Sequence, residues 1–199
     1  MNASAIVLCG GGSTRMGQDK GALPVGNETM LGRVVRLVGS VASDVVIVKA
    51  PHKGVPYEGV PARVVFDPVG GLGPLAGIVT GLRAIREPRA FITACDMPLL
   101  RPAAVTRLIE LAGDHDVCVP VWDGHLMSMC AVYRVTVIAE AERLIEAGER
   151  SVRGLIARVD AKKVDAADLR DVDPDLESFF SCDTPERYQE MLRRSALRK

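Results

Sequence analysis

Short apolar runs rich in β-branched residues alternate with amphipathic stretches along this chain, and that alternation admits few folds. Ala5-Ile6-Val7-Leu8, Val45-Val46-Ile47-Val48 and Arg63-Val64-Val65-Phe66 each have the length and composition of a strand. Ala90-Phe91-Ile92-Thr93-Ala94 reads as a central strand, with Val117 to Val121 and Met127 to Tyr133 as two more. Between them, Thr29 to Val41 sets Met30, Leu31, Val34, Val35, Leu37 and Val38 at the spacing of a helix lying on a sheet. Further helices are expected over 75–85, 103–112, 135–147 and 151–158; Pro102 falls where its missing N–H does no harm. The charged stretch 160–177 reads as loop, and Ser178 to Cys182 as a last strand. Thr184-Pro185-Glu186 reads as the capped opening of a terminal helix, an exposed flank of alternating charge. Such alternation predicts an α/β fold: one three-layer αβα sandwich with a Rossmann-like, mainly parallel sheet, spanning 1–199 as a single domain.

Composition narrows the function classes. The 25 basic and 25 acidic side chains cancel, whereas a duplex-binding protein usually carries a basic surplus, so no nucleic-acid partner is expected. Five cysteines, at 9, 95, 118, 130 and 182, form no Cys-x-x-Cys pair and suit reduced thiols in a cytoplasmic protein. The first strand starts within a few residues of the N-terminus, leaving no room for a signal peptide. No apolar run approaches the roughly 20 residues that cross a bilayer, so no membrane partner is expected.

The first strand empties into Leu8-Cys9-Gly10-Gly11-Gly12-Ser13-Thr14-Arg15-Met16-Gly17-Gln18-Asp19-Lys20-Gly21. Glycine lets backbone N–H groups turn inward and approach a ligand closely, and the resulting concavity binds anions such as phosphate. Neither familiar phosphate loop fits. Gly12 and Gly17 have the P-loop spacing, but Gln18 and Asp19 stand where Lys and Ser/Thr belong. Gly10 and Gly12 open the dinucleotide fingerprint, but position 15 is Arg. The stretch is therefore a phosphate loop of a third kind or a tight turn with incidental charges. On the first reading Arg15 is a bidentate fork and Lys20 a mobile point charge, both clamping a triphosphate. Asp19 would cap or orient the lysine rather than touch substrate.

In open α/β sheets ligands bind at the carboxyl ends of strands. Three glycine-rich or polar stretches fall there, at 9–20, 67–77 and 95–98, and should converge on one edge. Asp96 ends an apolar strand and faces the glycine loop, a place for Mg²⁺, which takes one or two carboxylates plus phosphate oxygens; it could instead cap the next helix. Asp67 has the same placement, or merely starts a turn before Pro68. His52, His115 and His125 lack metal-ligand spacing and read as solvated. Cys9 and Cys95 sit where small buried residues belong, with no base placed to activate a thiol.

Leu8-Cys9-Gly10-Gly11 with Ser13, Arg15-Met16-Gly17 and Asp19-Lys20 resembles the signature loop of the nucleotidyltransferases that act on molybdopterin. Gly73-Pro74-Leu75-Ala76-Gly77, Cys95-Asp96-Met97-Pro98, Gly148-Glu149-Arg150 and Phe180-Ser181-Cys182-Asp183-Thr184-Pro185-Glu186 resemble further blocks of that family, in order. The likeness spans nearly the whole chain, and the Gly-Pro-Leu-Ala-Gly block is similar to the molybdenum cofactor guanylyltransferases in particular.

The resemblance implies a sheet of the nucleotide-diphospho-sugar transferase type and Mg²⁺-dependent transfer of GMP from GTP to the terminal phosphate of molybdopterin, releasing pyrophosphate. It implies a nucleotide held by Leu8, Cys9, Gly10 and Gly11 with Lys20, Asp67, Gly77 and Asp96. Arg15, Lys20 and Asp96 would be catalytic, with Asp96 the metal ligand. It also implies transient contact with other proteins of molybdenum cofactor biosynthesis or with apo-molybdoenzymes. CTP-using relatives commonly carry Ala at the position of Gly10, so the missing methyl there would leave room for a purine. Two segments depart from the family pattern: Ser128-Met129 stands where Pro-Leu is usual, and Ser181 and Asp183 where Asn-x-Asn is frequent. The alternatives are a cytidylyl- or sugar-phosphate nucleotidyltransferase of the same fold and a non-catalytic nucleotide-binding module.

Overall fold

In the computed structural model, which describes residues 2–10, 19–50, 60–67 and 73–196, the alternation becomes one eight-stranded sheet between helices. In chain order the elements are β1 (Ser4–Cys9), β2 (Pro24–Val25), β3 (Glu28–Thr29), α1 (Met30–Gly39), β4 (Val45–Lys49), β5 (Arg63–Phe66), α2 (Pro74–Ala84) and β6 (Arg89–Ala94). There follow α3 (Pro102–Ala112), β7 (Val117–Trp122), β8 (His125–Leu126), β9 (Cys130–Arg134), α4 (Ile138–Glu146), α5 (Val152–Ile156), β10 (Ala161–Asp165) and α6 (Pro185–Ala196). The sheet order is β10-β7-β9-β6-β1-β4-β5, with β8 hairpinned onto β7 and β2–β3 a separate small ribbon. β4, β1 and β6 pair in parallel, as do β4 with β5 and β7 with β10. β9 is antiparallel to both neighbours, so β6 and β7 run the same way.

The period of two along each strand fills both faces. Ala5, Val7 and Cys9 point with Ile47 and Phe91 toward α1 and α3, while Ile6, Val46, Val48 and Ile92 face α2, α4 and α5. Thr29 starts α1 by accepting a hydrogen bond from Gly32 N at 3.0 Å. Gly81 sets how closely α2 lies on the sheet: a Cβ there would stand 2.7 Å from Ile6 Cγ2.

Three segments differ from the sequence reading. Within 160–177, expected as loop, β10 pairs in register with β7 and buries Val164, while short turns at Ala166–Leu169 and Glu177–Phe179 pack Leu169 and Phe179 into the core. Ser178 to Cys182 is not a strand; Ser178 and Glu177 donate their backbone N–H groups to the buried Asp173 carboxylate instead. The terminal helix, capped as expected by Thr184, is more than a flank. Its Met191 is fully buried in a third cluster with Leu23, Val25, Met30, Leu99 and Phe180.

Candidate active site

Parallel pairing brings the carboxyl ends of β1, β4, β5 and β6 to one edge, β7 joins them across β9, and of the expected residues Lys20, Asp67 and Asp96 lie there. Lys20 reaches this edge from a single tight turn, Lys20–Ala22. Asp19 holds that turn by accepting from Gly21 N at 3.0 Å, which is the orienting role its position suggests. Gly21 lets the turn sit down on the end of β1 and on α1, since a Cβ would meet Cys9 Sγ at 3.2 Å and Leu31 Cβ at 3.4 Å.

Asp96 arrives from the other side, two residues beyond β6. Cys95 N donates to Leu8 O at 3.0 Å and Cys182 N to Asp96 O at 2.8 Å, so the backbone around Asp96 is fixed from two directions. Its carboxylate is held from the side chain as well, where Lys20 Nζ donates to Asp96 Oδ2 at 2.9 Å. The two side chains are 19% and 15% exposed, so the pair is sheltered yet reachable. The helix-cap alternative for Asp96 falls away, because α3 opens at Pro102 with Arg101 in the cap position.

Asp67 is buried at the end of β5, where its N–H donates to Lys49 O at 2.7 Å and extends the ladder. The sequence reading ends this strand at Val48 and passes over Lys49. Only 2% exposed, Lys49 pairs in register with Cys9 at the end of β1. Burial lowers its pKa from the ordinary lysine value, and the Cys9 and Asp19 side chains push it back up. The signal in the sequence was a lysine closing a β-branched strand at the carboxyl edge.

Gly10 also has a packing reason to be glycine. A Cβ on it would stand 2.9 Å from Ala50 N and 3.3 Å from Ala50 Cβ, where two strand ends approach closely. Leu8 and Gly77 meet across the sheet–helix interface: a Cβ on Gly77 would touch Leu8 Cδ2 at 3.4 Å. Gly73 opens α2 with φ +80°, and Arg150 packs beside it, 3.7 Å from where a Cβ would be. Gly148, at φ +81°, closes α4 by donating to Ile145 O while Glu149 N donates to Leu144 O, which turns the chain toward Gly73. Two blocks far apart in sequence thus meet at the amino end of α2. Gly11 and Arg15 lie outside the described residues.

Two of the buried cysteines are held as thiols: a hydrogen bond with Cys9, together with burial, raises Cys95 well above its ordinary value, and burial pushes Cys182 up to about 12. Among the described residues no three His, Cys, Asp or Glu side chains gather into a ready-made metal site. Mg²⁺ needs none, since one carboxylate with substrate phosphates and water completes its shell, and Asp96 fits that part. Ser128, Ser181 and Asp183 also come to this edge. Ser128 O accepts from Tyr133 OH just before β9, and residues 181–183 run past Asp96 through the Cys182 bond. A depression lined by Arg36, Asp44, Arg63 and Arg86 lies at the opposite, amino-terminal edge of the strands.

A sequence model of the MobA-like NTP transferase domain matches residues 5–164. A probable molybdenum cofactor guanylyltransferase of Mycobacterium avium (strain 104) is 38% identical over 171 residues, covering 82% of this chain and 85% of the relative. Its counterpart from Mycobacterium tuberculosis (strain ATCC 25618 / H37Rv) is 37% identical over 174 residues, covering 84% and 85%. The crystal structure of molybdopterin-guanine dinucleotide biosynthesis protein A from Archaeoglobus fulgidus superposes with a TM-score of 0.80 at 27% identity, over 96% of each chain. The mixed sheet is thus that of a nucleotidyltransferase. The chain belongs to the MobA-like NTP transferase family, among relatives named for molybdenum cofactor biosynthesis.

Proposed function

We propose that this enzyme transfers GMP from GTP to the terminal phosphate of molybdopterin, forming the guanine dinucleotide and pyrophosphate. The observation that carries the reading is the Lys20–Asp96 pair, a carboxylate and a tethered cation meeting at the carboxyl edge of the sheet. The relatives' names support the guanine base and the pterin acceptor.

The acceptor's phosphate is already ionised, so the reaction calls for no strong base. Positioning and charge neutralisation carry it. Asp96 would hold Mg²⁺, and the bound ion supplies neutralisation of phosphate charge. Lys20 meets the negative charge that grows on departing pyrophosphate as the α–β bond breaks, and Arg15 shares that task as a two-point fork. The positive end of α2 lies on the same edge as Gly10 and would favour the anionic substrate. Asp67 and Gly77 would border the nucleotide, and the product would pass to the next protein of cofactor assembly by transient contact. The test is pyrophosphate release with each NTP, with and without molybdopterin. Release with GTP that depends on molybdopterin is expected; release with CTP alone would overturn the reading.

A further inference from the structure

Trp122 stands exposed where a biosynthetic enzyme of this size has little reason to show an indole. It is the sole tryptophan and 40% exposed; Phe66 is the other large apolar side chain exposed among the described residues. It ends β7 at the carboxyl edge, the edge that holds Lys20 and Asp96. Its ring is not loose. One side stacks on the buried Phe179, centroids 5.9 Å apart and planes 30° from parallel. The next two residues, Asp123 and Gly124, both have positive φ, 49° and 72°. That is the tight primed turn which joins strands with least freedom, and it pins Trp122 opposite His125.

Two independent routes place the indole relative to the Lys20–Asp96 pair. Along the sheet, Phe91 of β6 and Cys118 of β7 both pair with Val132 of β9, so they are level. Four residues on, Trp122 comes level with Cys95, next to Asp96, across two strand spacings or about 10 Å. Along the chain, Phe179 under the indole is three residues from Cys182, whose N–H is bonded to Asp96 O. Three extended residues span about 11 Å at most. The backbone of Trp122 thus lies about 10 Å from that of Cys95, the neighbour of Asp96, with Ser181 on the segment between.

We infer that Trp122 is the stacking platform for the acceptor: a planar fused heterocycle bearing a phosphate on a short arm, the ring on the indole and the phosphate directed toward Asp96. The inference rests on the proposed function. An indole already stacked on one side loses little freedom on taking a second ring, and base–aromatic stacking is tolerant of which heterocycle it takes. It also gives this chain an apolar grip on the acceptor where Ser128, Ser181 and Asp183 depart from the family pattern.

Steady-state GMP transfer by the full chain, with GTP and molybdopterin varied in turn, tests this. Trp122→Ala should raise KM for molybdopterin about ten-fold, in the range lost when a base-stacking aromatic is cut to alanine. KM for GTP should stay near the wild-type value, which also shows that the variant is folded. Trp122→Phe keeps an aromatic face and should recover most of the acceptor affinity. If the wild-type enzyme transfers GMP normally and Trp122→Ala leaves the molybdopterin KM unchanged, or raises both KM values together, the platform is wrong while the proposed function stands. If the wild-type enzyme transfers no GMP to molybdopterin, both fall.

Discussion

Lys20 and Asp96 are 76 residues apart in sequence and 2.9 Å apart in space. The first rides on a turn capped by Asp19, the second on a backbone bonded to Cys182. Here they satisfy each other. On the proposed function, a triphosphate between them would give the lysine a stronger partner and free the carboxylate for a cation. The first two predictions separate these halves.

Lys20→Ala should lower kcat by roughly 10²–10³ with a smaller change in KM for GTP, as for other preorganised groups that meet charge developing in the transition state. Arg15→Lys should also fail to restore full activity, since an ammonium lacks the two-point fork. Steady-state kinetics decide between this and simple capture of nucleotide, which would raise KM alone.

Asp96→Asn should abolish most turnover while leaving the thermal melt nearly unchanged. The substitution removes charge and keeps shape, and the bond that ties this segment to Cys182 uses the backbone carbonyl. An unaltered rate at saturating Mg²⁺ would remove Asp96 from the site.

Gly10→Ala should destabilise the protein by about 1–3 kcal/mol, the usual cost of forcing a methyl into a filled space, because its Cβ meets Ala50 N at 2.9 Å. It should weaken GTP and CTP alike. A selective loss of GTP at unchanged Tm would restore the reading that Gly10 chooses the base.

Acid should loosen the wall behind Asp96. Glu28 accepts two hydrogen bonds from Arg36, at 3.0 and 2.8 Å, and Arg33 pairs with the same carboxylate while its Nε donates to Pro98 O. Arg36, against the opposing effect of burial, holds the Glu28 carboxyl below its ordinary 4.5. A depressed carboxyl stabilises fully above its unfolded value, and that contribution is lost as pH falls through the folded value. The difference in Tm between wild type and Glu28→Gln should therefore be complete near neutral pH and shrink below pH 4.5. A difference that grows on acidification would contradict the sign.

What the sequence showed and hid follows from burial. β1, β4 and β6 are covered on both faces, so their unbroken apolar runs announce them, and the polar residues at their ends mark the edge. β10 is an edge strand with a single well-buried side chain, Val164, in Ala-Lys-Lys-Val-Asp, and its partner β7 decides its conformation. Met191 is one apolar residue in a charged helix, and only the pocket formed by Leu23, Met30 and Phe180 gives it meaning. The convergence of the stretches that hold Lys20 and Asp96 was legible because both follow strands of predictable direction; the pairing of the two side chains was not. The burial of Lys49 was not, since a strand-final lysine more often reaches water.

The most direct measurement is the rate of pyrophosphate release from GTP by the purified enzyme as molybdopterin is added, beside the same titration with CTP. Release should be negligible without molybdopterin, rise to saturation with it, and run far faster with GTP than with CTP. Equal or faster release with CTP, or release that needs a sugar phosphate instead of the pterin, would contradict guanylyl transfer to molybdopterin at the Lys20–Asp96 edge.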